Sequence, residues 1–407
     1  MESATPKVWE PRSLRLPLRK PQTERHPTTL SKSCNRRPRS VHRTAVHDPY
    51  LQLAVAEGFG ESPVPALLQP DLDPVSVLTA PPSPPDVPLR VAERLRQPDL
   101  ASTAALLLKR ARADGLLVLT PDHPDWPPQL ANAPLRPLVL FVRGDPAALR
   151  RRPSIAVVGS RTPTPYGSEA ATLLCSALAR AGAVTWSGLA RGIDGIAHGQ
   201  NVRAKVPTVA VLAGGLDAIY PPEHQELAAR IVATGGALVS ELPPGQRARR
   251  GHFVRRNRIL AVGAQAVVVV EASLSSGALH TARFAAEAGP DVFAVPGPWT
   301  SERSQGCHRL LTEGAHVVES PEALLQSLGL LLAPDADVGT NHGLQCSAEQ
   351  QRLLDLLRHG PRPGDLLARE SGLARAAFLR ALMALERDGV VVRGAGDLWS
   401  RGAGRTG

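Results

Sequence analysis

From residue 154 onward the chain is a succession of short apolar runs, at 155–158, 183–186, 208–213, 237–239, 266–270, 292–295 and 316–318. Val, Ile, Leu and Ala dominate these runs, and stretches of helical periodicity fill most of the intervals, as at 166–181 and 222–233. Strands without polar alternation are covered on both faces, and strands that alternate with helices pair in parallel. The pattern predicts an α/β domain over residues 151–328, a Rossmann-like, doubly wound, mostly parallel sheet. Sheets of this kind take ligands beyond the carboxyl ends of their strands.

The flanks follow other patterns. Residues 48–78 and 89–114 are helical in character, and the proline-rich stretch 79–88 separates them as a linker or stiff loop. With a lead-in to the sheet they make a helical N-terminal region, 48–150. After a weakly patterned connector at 329–345, helical segments at 348–358, 363–370 and 373–387 precede a hairpin over 394–396. Three helices and a hairpin predict a winged-helix module over 346–402. Its third helix would be the recognition helix, exposing Arg375, Arg380 and Arg387, and both groove reading and protein contact fit that face.

Charge changes this picture less than its total suggests. The net charge is +10, but residues 1–47 hold eleven Lys/Arg against three Asp/Glu and so carry eight of those ten charges. That segment is proline-bearing and aperiodic, and is expected to be a disordered basic tail. A nucleic-acid interface has to be sought in local clusters. The four cysteines (Cys34, Cys175, Cys307, Cys346) lie far apart, which fits a reducing compartment. With no apolar run near eighteen residues, the chain is expected to be soluble, cytoplasmic and free of membrane contact.

Candidate chemistry gathers where predicted strands end. The segment from Ser187 to His198 reads as a strand end, a glycine-bearing turn and a helix N-terminus. Exposed amides and the positive end of a helix dipole make such a turn an anion site. Gly188 and Gly192 would let a phosphate approach the backbone, and Arg191 would supply a fixed charge. A nucleotide, a nucleic-acid backbone or a sugar phosphate would all satisfy this geometry. Gly159, Ser160 and Arg161 leave the first strand toward a helix beginning near Pro165, whose ring suits a first helical turn.

Residues 246–258 hold six arginines and Phe253. Guanidinium forks grip phosphates while bases stack on an aromatic face, the combination used by single-strand binders. Ser276 and Gly277 open a further helix, where they would complete the anion site or cap that helix. Glu241 and Glu271 stand at strand ends, placed to accept from a base or to orient arginines. They lack a nucleophile or metal ligand that would make them a catalytic pair. Asp194 and His198, four apart on one helix face, read as a structural pair or cap rather than a metal site. No metal or cofactor is implied.

Taken in order, these motifs, together with Asp217, Tyr220-Pro221, Thr281-Ala282 and Val295-Pro296-Gly297, resemble the DNA-processing protein A family (DprA, also called Smf) over roughly residues 119–320. The resemblance implies single-stranded DNA binding, homodimerisation and delivery of DNA to a RecA-type recombinase during natural transformation. It implies a protein that is not an enzyme, with contacts from Gly159, Ser160, Arg161, Ser187, Gly188, Arg191, Gly192, Phe253, Arg256, Asn257, Arg258, Ser276 and Gly277. Some members carry a C-terminal winged helix, and the N-terminal helices match a sterile-alpha-motif region poorly. The chain departs from the family pattern at Val254, where proline is usual, at Pro290, where arginine is common, and at His308, in place of asparagine.

Two other functions compete. A nucleotide-phosphate hydrolase on a related sheet would need a Pro-Gly-Gly-x-Gly-Thr-x-x-Glu turn, for which residues 276–281 are at best a distant counterpart. A transcription factor would rest on the winged helix alone. Within residues 151–328 neither dinucleotide nor Walker glycine patterns occur.

Overall fold

A computed structural model describes residues 48–59, 64, 67, 72–133, 135–330, 347–357, 361–387, 390–394 and 397–401. The tail 1–47, most of the connector and the hairpin turn at 395–396 lie outside the described residues. The chain divides into two compact units at residue 333.

In the first unit, four helices, α1 (Pro49–Glu57), α2 (Pro74–Thr79), α3 (Leu89–Leu95) and α4 (Leu100–Ala113), lead to β1 (Leu117–Leu119) and β2 (Leu140–Gly144). The alternation that follows is β3 (Ser154–Val158), α5 (Pro165–Arg180), β4 (Val184–Ser187), α6 (Ile193–Arg203), β5 (Thr208–Val211), α7 (Gln225–Ala233), β6 (Ala237–Ser240), α8 (Arg250–Gly263), β7 (Ala266–Val269), α9 (Ala278–Ala288), β8 (Asp291–Ala294), α10 (Gln305–Thr312), β9 (His316–Val317) and α11 (Pro321–Ser327).

Each apolar run predicted as a strand is one. The strands form one sheet in the order β1-β2-β6-β5-β4-β3-β7-β8-β9. Pairing is parallel from β6 to β9, whereas β2 runs antiparallel to both β1 and β6. The lead-in strands therefore extend the sheet. Strand order reverses beside β3, with β4 on one flank and β7 on the other, which makes the loops after these three strands the rim of the crevice.

Alternate residues of each strand feed opposite layers. Ala156, Val158, Val267 and Val269 pack under α8 and α9, while Ile155, Val157, Val268 and Val270 pack against α5, α6 and α11. Phe141, Ala210, Leu212 and Leu238 join the N-terminal helices and α7. The α8 layer is close: a Cβ at Gly263 would lie 2.2 Å from the fully buried Trp186 ring, so only glycine lets this helix end approach the sheet. Helix α5 starts as its sequence suggests, with Pro165 in the first turn and Thr164 Oγ1 accepting from Gly167 N at 3.1 Å.

The second unit comprises α12 (Ala348–Leu356), β10 (Arg362–Pro363), α13 (Gly364–Ser371), α14 (Arg375–Arg387), β11 (Val391–Arg393) and β12 (Leu398–Arg401), with sheet order β10-β12-β11. Leu353, Leu367, Phe378, Leu382, Leu385, Val391 and Trp399 form its core. Arg375, Arg380 and Arg387 are exposed on α14.

Candidate nucleic-acid interface

The loops after β3, β4 and β7 enclose an open trough of about 750 Å³ with α8 as one wall. Gly159, Ser160 and Arg161 line it from the β3 loop, Phe253, Arg256 and Asn257 from α8, and Ser276 and Gly277 from the start of α9. Arg250 and Arg303 complete a lining with four arginines. Arg161 sits 4.9 Å from the centroid of Phe253, and Tyr220 meets the same ring edge-on at 5.9 Å. Cation and aromatic face are thus presented together.

Arg303 was not singled out by the sequence. It donates to Thr162 O, to Thr162 Oγ1 at 2.8 Å and to Ser160 Oγ at 3.3 Å, which ties the segment after β8 to the loop after β3. The available signal was an arginine shortly after a strand end on the binding edge of the sheet.

The Ser187–His198 turn differs from its expected form. Two of its amides are already occupied: Gly188 N and Ala190 N donate to Asp194 Oδ2 at 3.1 and 3.3 Å. The carboxylate comes from the first turn of α6 and takes the place in which a ligand phosphate was expected. Ser187 is fully buried, its hydroxyl donating to Val157 O at 2.6 Å. Arg191 is not part of the trough lining and pairs with Glu223. Gly192 has φ +72°, and a Cβ there would lie 2.3 Å from Ser160 O, because the β3 and β4 loops cross at this point. His198 is fully buried against Thr208 Oγ1 at 2.8 Å, and burial lowers its pKa to about 3, so the ring is neutral.

Arg256 lies beneath the trough rather than on its rim. The guanidinium donates to Val211 O and packs where a Gly188 side chain would be, with a Cβ there only 2.2 Å from Nη1. Burial lowers its pKa to about 10, Asp194 opposes that shift, and the group remains cationic at neutral pH. Asn257 Nδ2 donates to Gly277 O at 3.0 Å, linking α8 to the start of α9. Glu271 accepts from Thr164 Oγ1 at 2.5 Å. His308, the departure from asparagine, holds Gly297 O at 3.0 Å.

From Arg250 onward the arginine-rich segment forms the first turns of α8, and Val254 is an exposed helical residue on the trough wall. The opposite side of α8 is buried. Arg258 is 2 % exposed and donates to Glu241 at 2.6 Å and to Leu135 O at 2.8 Å, with Arg255 also 2.9 Å from Glu241. Arg258 therefore anchors the helix from behind.

Glu57 of α1 is buried beside this cluster. Desolvation and the Glu241 charge raise its carboxyl pKa to about 7, against the pull of Arg255 and Arg258. A raised folded-state pKa stabilises the fold below pH 4.5, and that contribution is lost as pH rises through 7. Glu57→Gln is expected to raise the unfolding free energy at pH 8 by about 3 kcal/mol. Urea titrations should show the advantage vanishing below pH 5; a pH-independent difference would exclude this titration.

The family model described as DNA recombination-mediator protein A matches residues 117–329. The chain belongs to that family. A DprA winged helix domain model matches residues 334–397. Protein Smf of Escherichia coli K12 is 40% identical over 277 residues, 66% of this chain and 73% of its own length. The DNA processing protein DprA of Bacillus subtilis is 37% identical over 222 residues, 54% and 74% of the two chains. The X-ray structure of DNA processing protein A from Streptococcus pneumoniae superposes with a TM-score of 0.51 at 32% identity, covering 58% of this chain and 84% of that one. As a family member the chain pairs the α/β domain with a winged helix. Among its described residues no helix is long and apolar enough to cross a membrane, and no group of three His, Cys, Asp or Glu could hold a metal ion.

Proposed function

We propose that this protein binds single-stranded DNA in the trough and acts in DNA processing during natural transformation, protecting the incoming strand and helping to load a RecA-type recombinase. It does so in the cytoplasm as a homodimer, and without catalysing a reaction. The observation that carries this reading is the joint presentation of Arg161, Arg250 and Arg303 with the Phe253 face on an open groove. Such a groove tracks a flexible backbone and leaves bases free to stack. Its relatives from Bacillus subtilis and Streptococcus pneumoniae are DNA processing proteins by name. The carboxylates that a hydrolase would need are otherwise engaged, Glu241 with two arginines and Glu271 with Thr164.

The test is fluorescence anisotropy of labelled oligo-dT and of a duplex, titrated at several salt concentrations with the full chain and with residues 48–407. Expected are preference for the single strand, a negative linear dependence of log K on log salt, and retention of both without the tail. Equal affinity for duplex, or binding that disappears with residues 1–47, would overturn the reading.

A further inference from the structure

Beyond the trough, one side chain on the same edge of the sheet is held in a costly position. Trp126, Trp186 and Trp399 are buried, whereas Trp299 is 84 % exposed. Full exposure of an indole forgoes a large hydrophobic gain. The backbone beneath it is nevertheless firmly set. Trp299 follows Pro298 in a turn closed by Ser301 N donating to Pro298 O at 3.0 Å. Just before the turn, Tyr166 Oη donates to Pro296 O at 2.6 Å and His308 holds Gly297 O. A Cβ at Gly297 would lie 2.3 Å from Ser304 Oγ, so the two limbs of the loop are in contact. The turn is built to hold its indole in solvent.

Its position identifies the occupant. The turn follows β8 at the carboxyl edge of the sheet, and four residues later Arg303 reaches the trough lining. Four residues span no more than about 14 Å. A strand that leaves the trough on the Arg303 side has the indole within reach, and Tyr166, itself 44 % exposed, stands beside the same loop. An aromatic plane next to a guanidinium of such a lining is the arrangement that takes an unpaired base of any sequence.

We propose that Trp299 is a stacking platform for a base of the single strand where it leaves the trough past Arg303. This rests on the trough being the DNA site, and it extends the footprint to the loop after β8. Stacking contributes through the base and not through the phosphate. Removing it changes affinity while the number of ions released stays the same.

Trp299→Ala and Trp299→Phe are compared with the unmodified full chain on labelled oligo-dT across a salt series. The same measurements are made on a strand of equal length carrying abasic sites. Expected are an approximately tenfold rise in Kd for Trp299→Ala, a much smaller one for Trp299→Phe, an unchanged salt slope, and no penalty on the abasic strand. If the unmodified chain binds oligo-dT and Trp299→Ala stays within twofold of it, this proposal fails alone. A Trp299→Ala variant whose sedimentation shows an altered oligomeric state while its intrinsic DNA affinity is unchanged would assign the indole to a protein contact. Absence of binding by the unmodified chain would overturn both readings.

Discussion

Replacing Arg161 by alanine is expected to weaken oligo-dT binding by about 10–100-fold, the value of one charge-assisted hydrogen bond to phosphate. Arg161 is exposed on the trough rim and its guanidinium lies over Phe253. The substitution therefore removes a cation and uncovers a ring, without opening a cavity in the core. The slope of log K against log salt should fall by about one, as for the loss of one phosphate contact, while the urea midpoint stays put. Phe253→Ala should leave the slope alone. If Arg161→Ala binds as tightly as the unmodified protein, the trough is not the interface.

Arg256→Met is expected to act on stability, lowering the unfolding free energy by about 3–5 kcal/mol, as when one partner of a buried charge pair is removed. Arg256 is 6 % exposed, and its charge acts on the equally buried Asp194. Burial already raises the Asp194 pKa, and the Arg256 charge is the strongest influence that opposes the rise. Methionine would fill much of the volume but leave that carboxylate to its two amides. Asp194→Asn introduced into the Arg256→Met background should recover a substantial part of the loss, measurable as a double-mutant cycle by urea denaturation. Full additivity of the two substitutions would show that the charges are not coupled.

The central strands could be read from the sequence because a parallel strand buried on both sides is written locally, as an uninterrupted apolar run. The pairing of β2 with β6 is not local. Residues 138–144 look like a lead-in, and nothing near them specifies that Val142 lies opposite Val239. The clustering of Gly159, Ser160, Arg161, Phe253, Asn257 and Gly277 around one trough followed from motifs at strand ends, which a doubly wound sheet brings together. The roles of Arg256 and Arg258 did not follow. Six arginines in thirteen residues read as a phosphate-gripping segment, yet a helix driven between Glu241, Val211 and Leu135 buries two of them. Asp194 is the instructive residue of the turn. An acid in the first turn of a helix is the chain's own candidate for the amides that a glycine turn exposes.

That carboxylate also governs what the surface can ignore. A loop whose Gly188 and Ala190 amides are satisfied from within offers a lone phosphate no clasp at those two groups, and what remains is a small number of guanidinium groups spread along the trough. Each holds weakly, and a free nucleotide engages too few of them to stay. On a polymer, the first contact raises the effective concentration of the next phosphate at the next guanidinium. Retention then grows with the length of the strand. For the proposed interface, the length of continuous strand rather than the single nucleotide then sets retention.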